Sequence, residues 1–166
     1  MLYRAGLVVA FAATPATAGS KAASFQVGAA IVPGCTVATD ASGRWGTISL
    51  GTVAGAGTTT ASGTLQSGGV AGLQLTCTPG ATVNVTADAG DHASGGQRRL
   101  AGSGAATIPY ALFANGSSSA WTTQPVALTF PAGVSAQTLP VRASATVAGP
   151  IAAGTYTDTV RITLTF

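Results

Sequence analysis

The sequence predicts an all-β protein built as a two-layered antiparallel sandwich, and three observations carry that expectation. Only 7% of the 166 residues are charged and Glu is absent, so the usual formers of exposed helices are nearly missing. Gly, Thr, Ala, Ser and Val dominate instead, a mixture suited to short strands and tight turns. Apolar and polar residues alternate in short runs, the period-two pattern of sheets covered on one side.

The elements follow in chain order. MLYRAGLVVAFAATPATAGS begins with a short stretch carrying Arg4, continues through an apolar run and reaches Pro15 and the small-residue site Ala16-Thr17-Ala18. That layout predicts a secretory signal peptide over residues 1–18. Its apolar run of about nine residues is too short to span a bilayer, and no later segment is a candidate, so no membrane insertion is expected. Residues 19–32 form an extension in which Phe25, Val27, Ala29 and Ile31 alternate with Ser24, Gln26, Gly28 and Ala30. Pro33-Gly34 separates this strand-like piece from the body, residues 33–166.

Within the body a strand over residues 35–39 leads through the turn DASGRWG to another over residues 47–50. The low-complexity run AGAGTTTASGTLQSGG is expected to be loop with a weak edge strand. GLQLTCT, TVNVTA, IPYALF, PVALTF and LPVRASATV then repeat the alternation. GTYTDTVRITLTF at the end reads as one long strand. Val160, Ile162, Leu164 and Phe166 share one face, opposite Thr159, Arg161, Thr163 and Thr165. About seven such strands in one domain make an immunoglobulin-like sandwich the first choice. No internal repeat and no second domain is visible.

Export places Cys35 and Cys77 in an oxidising compartment, where an even pair is read as a disulfide. Closing a loop of about forty residues contributes roughly 4 kcal/mol. One histidine cannot complete a zinc site with two thiols, and no metal or cofactor is expected. The net charge of +3 comes from scattered Lys and Arg, which excludes the clustered phosphate contacts of a nucleic-acid binder. Asp40, Asp88, Asp91 and Asp158 are the only acids. Asp88, Asp91 and His92 sit together in ADAGDHASGG, a composition that reads as a turn. No GxSxG, HExxH, P-loop or GxGxxG is present, and the chain does not read as an enzyme. Trp45, Trp121, Tyr110, Phe113 and Tyr156 could instead line a sugar-binding face, and a monomeric secreted carbohydrate-binding module is the alternative reading.

Periodicity alone leaves two readings of residues 23–32: the first strand of a complete domain, or a strand for a groove left open elsewhere. A resemblance separates them. Phe25-x-Val27 before Cys35, the second cysteine in LTCTPG, RRLAG at residues 98–102, IPYALF and above all AGTYTDTVRITLTF resemble the spore coat protein U domain of archaic chaperone–usher pilus subunits. The resemblance runs over residues 25–166 and implies an incomplete immunoglobulin-like sandwich completed by a donor strand. It implies Phe25, Val27, Ala29 and Ile31 as donor-strand anchors, and Val160, Ile162, Leu164 and Phe166 as part of the accepting groove. The implied partners are identical or related pilus subunits, a periplasmic chaperone that first lends a strand, and an outer-membrane usher. The implied function is a structural fibre subunit that polymerises by donor-strand exchange and serves adhesion or biofilm formation. Export would run through the periplasm to the surface of a Gram-negative bacterium, and a single domain suits a shaft or adaptor position.

Overall fold

A computed structural model of the chain describes residues 19–166. The signal peptide expected over residues 1–18 lies outside the described residues. The described residues divide into two units, 19–31 and 32–166. In the first, residues 19–31 take no strand or helix, and every one of these residues is exposed.

The second unit is all-β, with twelve strands among the described residues. They are β1 (Cys35–Val37), β2 (Thr47–Ile48), β3 (Thr59–Ser67), β4 (Val70–Ala71), β5 (Leu73–Cys77) and β6 (Thr82–Ala87), then β7 (Arg98–Ala101), β8 (Thr107–Ala114), β9 (Val126–Thr129), β10 (Ala136–Leu139), β11 (Val141–Val147) and β12 (Ile162–Thr165). One sheet has the order β1-β5-β10, a second β2-β3-β11-β8-β7 with β4 beside β3, and a third β12-β6-β9. Every strand pairing is antiparallel.

The alternation read from the sequence sets which side chains enter the core. Leu73, Leu75 and Cys77 of β5, Val83, Val85 and Ala87 of β6, and Val141, Ala143, Ala145 and Val147 of β11 are all buried. The residues between them are exposed or half-buried, as a sheet with one covered face requires. Phe130 anchors the centre, fully buried, with its backbone N–H donating to Ala81 at 2.8 Å and its carbonyl accepting from Gly80 at 2.7 Å. Pro140 divides the predicted run LPVRASATV into β10 and β11, because proline cannot donate to a ladder and the chain changes sheet there. Cys35 and Cys77 face each other in the β1–β5 register and are joined by a disulfide.

Two segments differ from expectation. The low-complexity run expected as loop with a weak edge strand contains β3, a nine-residue strand held between β2 and β11. Its inward positions are small except for Leu65, and Gly63 is needed there because a Cβ would stand 2.0 Å from the carbonyl oxygen of Ser49. The final segment is strand only over Ile162–Thr165. Upstream, a single bridge joins Thr157 to Ala101, and further hydrogen bonds run to Asp88 and Asp91, so the chain there is tied down without forming a ladder.

Phe130→Ala is expected to lower unfolding free energy by about 3–5 kcal/mol, since no neighbour can close over the vacated volume. Removal of the Cys35–Cys77 bond should cost about 2–5 kcal/mol. Urea unfolding of each variant against the parent checks both values.

Candidate functional site

The second sheet turns its apolar face toward an open groove. Its floor is made by β11, through Val141, Ala143, Ala145 and Val147, and by Ile108, Tyr110 and Leu112 of β8. One side is the segment around β2, with Trp45, Ile48 and Leu50; the other is formed by Ile151, Tyr156, Val160 and Ile162. The enclosed space is about 1600 Å³. Packed interiors hold few voids larger than a water molecule, so an apolar space of this size stands apart from ordinary packing. β12 pairs with β6 on one edge, and among the described residues no strand pairs with its other edge. Unpaired backbone groups beside an apolar trough are what an added strand requires.

The wall that carries Val160 is held by a polar clamp. The Asp158 side chain is only 1% exposed and accepts from the Tyr110 hydroxyl at 2.7 Å, from the His92 backbone N–H at 3.1 Å and lies 3.0 Å from His92 Nδ1. Gly90 passes so close that a Cβ there would overlap the Asp158 carboxylate, which leaves no room for another residue in this turn. In return Asp88 Oδ1 accepts from the backbone N–H groups of Arg161, at 3.0 Å, and Gly90, at 2.9 Å. The Arg161 guanidinium donates to Asp91 at 2.6 Å and to Asp88 at 3.4 Å.

Behind the clamp Arg98 is buried and donates to the carbonyl oxygens of Asp88, Trp121 and Thr122. Burial pulls its pKa down, opposed by the nearby Tyr110, Asp88 and Asp158. Burial also pushes the Tyr110 hydroxyl well above the usual phenol range, and donation to Asp158 pushes it further. Burial works against the Asp88 carboxylate, yet the N–H groups of Arg161 and Gly90 and the Arg161 guanidinium together hold it below the ordinary range. The bond to Asp91 raises Arg161 in turn.

The residues singled out from the sequence fall in distinct places. Phe25, Val27 and Ile31 are 88%, 84% and 86% exposed, and Ala29 is exposed as well. Val160 and Ile162 line the groove; Leu164 is half-buried against the core, and Phe166, beyond the last ladder pair, is exposed. The aromatics do not form a common face. Trp121 and Tyr110 are buried, Trp45 and Tyr156 pack against the core, and Phe113 lies under Arg142. Asp158 and Arg98 were not singled out for a structural role, although Asp158 interrupts the apolar face of the final segment, between Tyr156 and Val160.

The ADAGDHASGG segment is a turn at residues 91–92, with an isolated bridge between Ser94 and Gln97, and its side chains are occupied by Arg161 and Asp158. Among the described residues no group of three or more His, Cys, Asp or Glu could hold a metal ion, and no helix is long and apolar enough to cross a membrane.

An all-β, immunoglobulin-like antiparallel sandwich with one side of its core open is the class these features define. The chain belongs to the Spore Coat Protein U domain family, whose model matches residues 21–163. Among solved structures it is similar to a chain in the chaperone–tip adhesion subunit pre-assembly complex CsuC–CsuE, from the archaic chaperone–usher Csu pili of Acinetobacter baumannii. The identity is 21% and the TM-score 0.54, over 82% of this chain and 40% of that one. The chain therefore spans less than half the length of that relative, and the likeness is one of fold. No curated protein matches the sequence.

The clamp predicts a pH profile at each end. The Tyr110 pKa is raised on folding, so its contribution is complete below the ordinary value of 10.0 and declines as pH rises beyond it, because the unfolded chain ionises first. Tyr110→Phe should remove that alkaline slope and cost about 1–2 kcal/mol at neutral pH. Asp88 is depressed, so its contribution is present above the ordinary value of 3.8 and is lost as pH falls below it. Asp88→Asn should flatten the acid limb, and unfolding free energies measured from pH 2 to 11 check both limbs.

Proposed function

We propose that this protein is a structural subunit of a chaperone–usher type surface fibre that assembles by donor-strand exchange. The observation that carries the reading is the groove: an apolar trough bounded on one side by a strand with an unpaired edge. An extended segment with alternating apolar side chains fits such a trough, because ladder bonds supply affinity and alternate side chains fill it. The extension of another copy, or of a related subunit, offers Phe25, Val27, Ala29 and Ile31 in that pattern. Val160 and Ile162 receive it along the wall, with Leu164 and Phe166 continuing the same edge. Family membership and the likeness to a pilus subunit seen with its chaperone support the same reading.

The energetics suit a fibre held by kinetics. Burying Phe, Val and Ile contributes about 1.5–3 kcal/mol each, and each ladder bond about 0.5–1.5 kcal/mol. Ordering the free segment costs about 1–2 kcal/mol per residue, so the equilibrium gain is modest and persistence rests on slow unfolding of the completed sandwich. A periplasmic chaperone would shield the groove before assembly and an outer-membrane usher would exchange it for the next extension. The subunit would then reside at the cell surface, in adhesion or biofilm formation, with no catalysis and no cofactor.

In co-expression with a cognate chaperone, Val27→Asp should abolish multimer ladders and leave the chaperone-bound subunit intact. Loss of the chaperone complex as well would mean that residues 23–32 belong to the subunit's own core, and would overturn the reading. A synthetic peptide of residues 22–32, added at about a hundredfold Kd to the body lacking residues 19–31, should raise its melting temperature by roughly 5–15 °C. A body indifferent to the peptide would count equally against donor-strand exchange.

A further inference from the structure

The outward side of the second sheet has a chemistry of its own, independent of the groove. Arg142 on β11 stands opposite Phe113 on β8, and Arg99 on β7 stands opposite Pro109 four residues along the same strand. Between the two arginines lies a shallow depression of about 210 Å³ lined by Gln97, Pro109, Tyr110, Ala111, Ser144 and Thr146. Its floor, Pro109 and Ala111, is apolar, and its rim supplies the hydroxyls of Ser144 and Thr146 and the amide oxygen of Gln97, whose nitrogen already donates to the Tyr110 carbonyl at 2.6 Å. That is smaller than the roughly 300–1,000 Å³ of a site for drug-sized ligands, and it suits a single sugar ring with polar groups around its edge.

The two guanidiniums lack carboxylate partners among the described residues. The Arg142 guanidinium carbon lies over the Phe113 ring, 3.8 Å from its centroid, a cation–π contact. Arg99 donates from Nη1 to Thr107 Oγ1 at 3.3 Å, and its Nε is buried with no hydrogen-bond partner. The carboxylates are engaged elsewhere: Asp88 and Asp91 by Arg161, Asp158 by His92 and Tyr110, and Asp40 by the backbone N–H groups of its own turn. Planar, unpaired guanidiniums match carboxylate or sulfate groups in two-point contacts. By strand geometry the two arginine positions are roughly 16 Å apart on a diagonal that crosses the depression, a span of several sugar residues.

We propose that this face binds an acidic polysaccharide, with one ring seated over Pro109 and Ala111 and acidic groups on Arg99 and Arg142. Retention of the full chain on immobilised polygalacturonate, dextran sulfate, neutral dextran and duplex DNA tests it. The chain should bind at least one of the two acidic polysaccharides and pass through dextran. Preference for polygalacturonate assigns the acidic group as carboxylate, and preference for dextran sulfate assigns it as sulfate. Arg99→Ser combined with Arg142→Ser should weaken binding about tenfold or more, since charge-assisted bonds are lost at both ends. Ser144→Trp, which fills the depression and keeps both charges, should weaken it too, with the melting temperature confirming that each variant is folded. Arg44→Ser, in the turn before β2, should leave binding unchanged. Equal retention on dextran, equal or tighter binding to DNA, or an equal loss in Arg44→Ser would each overturn the proposal.

Discussion

Backbone pairing on both edges of β11 is the constraint from which the rest of the body follows. β3 takes one edge over six residue pairs and β8 the other over five, so β11 can neither slip nor turn over. With register fixed, the period of two decides everything laid upon it. Val141, Ala143, Ala145 and Val147 must face inward, and Arg142, Ser144 and Thr146 must face out. The same ladder therefore sets the floor of the apolar groove on one side and the hydroxyl-rich surface with its two arginines on the other. A shift by one residue would place Arg142 among the groove-lining residues and undo both faces of the sheet together.

The groove raises a problem that the polar clamp answers. A wall without a second strand beside it lacks the ladder that would hold it extended. Asp158, Asp88 and Arg161 supply side-chain bonds in its place, anchored to a turn that only glycine at position 90 allows. Burying a carboxylate is costly unless it is fully bonded, and Asp158 has three bonding contacts. Arg98 ties the base of that turn to residues 121–122 through carbonyl oxygens. The arrangement keeps Val160 and Ile162 presented at the groove in the absence of any occupant.

Much of this was legible because alternation needs no tertiary knowledge: the strands around Leu75, Val85, Leu112 and Val141 lie where their apolar residues said they would. β3 was not, because its inward residues include Ala61, Gly63 and Ser67, and small residues carry no hydrophobic signal. Only the approach of Ser49 to Gly63 explains why a large residue cannot stand there, and that contact joins residues with no local relation. The clamp was hidden for a similar reason. Asp88 and Asp91 read as turn residues, and they are; nothing in the sequence pairs them with Arg161, some seventy positions away. Phe166 keeps the alternation of Ile162 and Leu164, but it falls past the final pair, Thr165 with Asn84, where no neighbour covers it.

The position of the disulfide has a mechanical meaning. Tension applied through residues 19–32 enters the body at the start of β1, a strand of three residues that would be the first to peel under load. Cys35 is the first residue of that strand and is bonded to Cys77 at the end of β5, directly opposite in register. Pulling force thus crosses into β5 through a covalent link before it can act on any hydrogen bond of β1. β5 is flanked by both β1 and β10, so the covalent link ties the start of the body to a strand held on both edges.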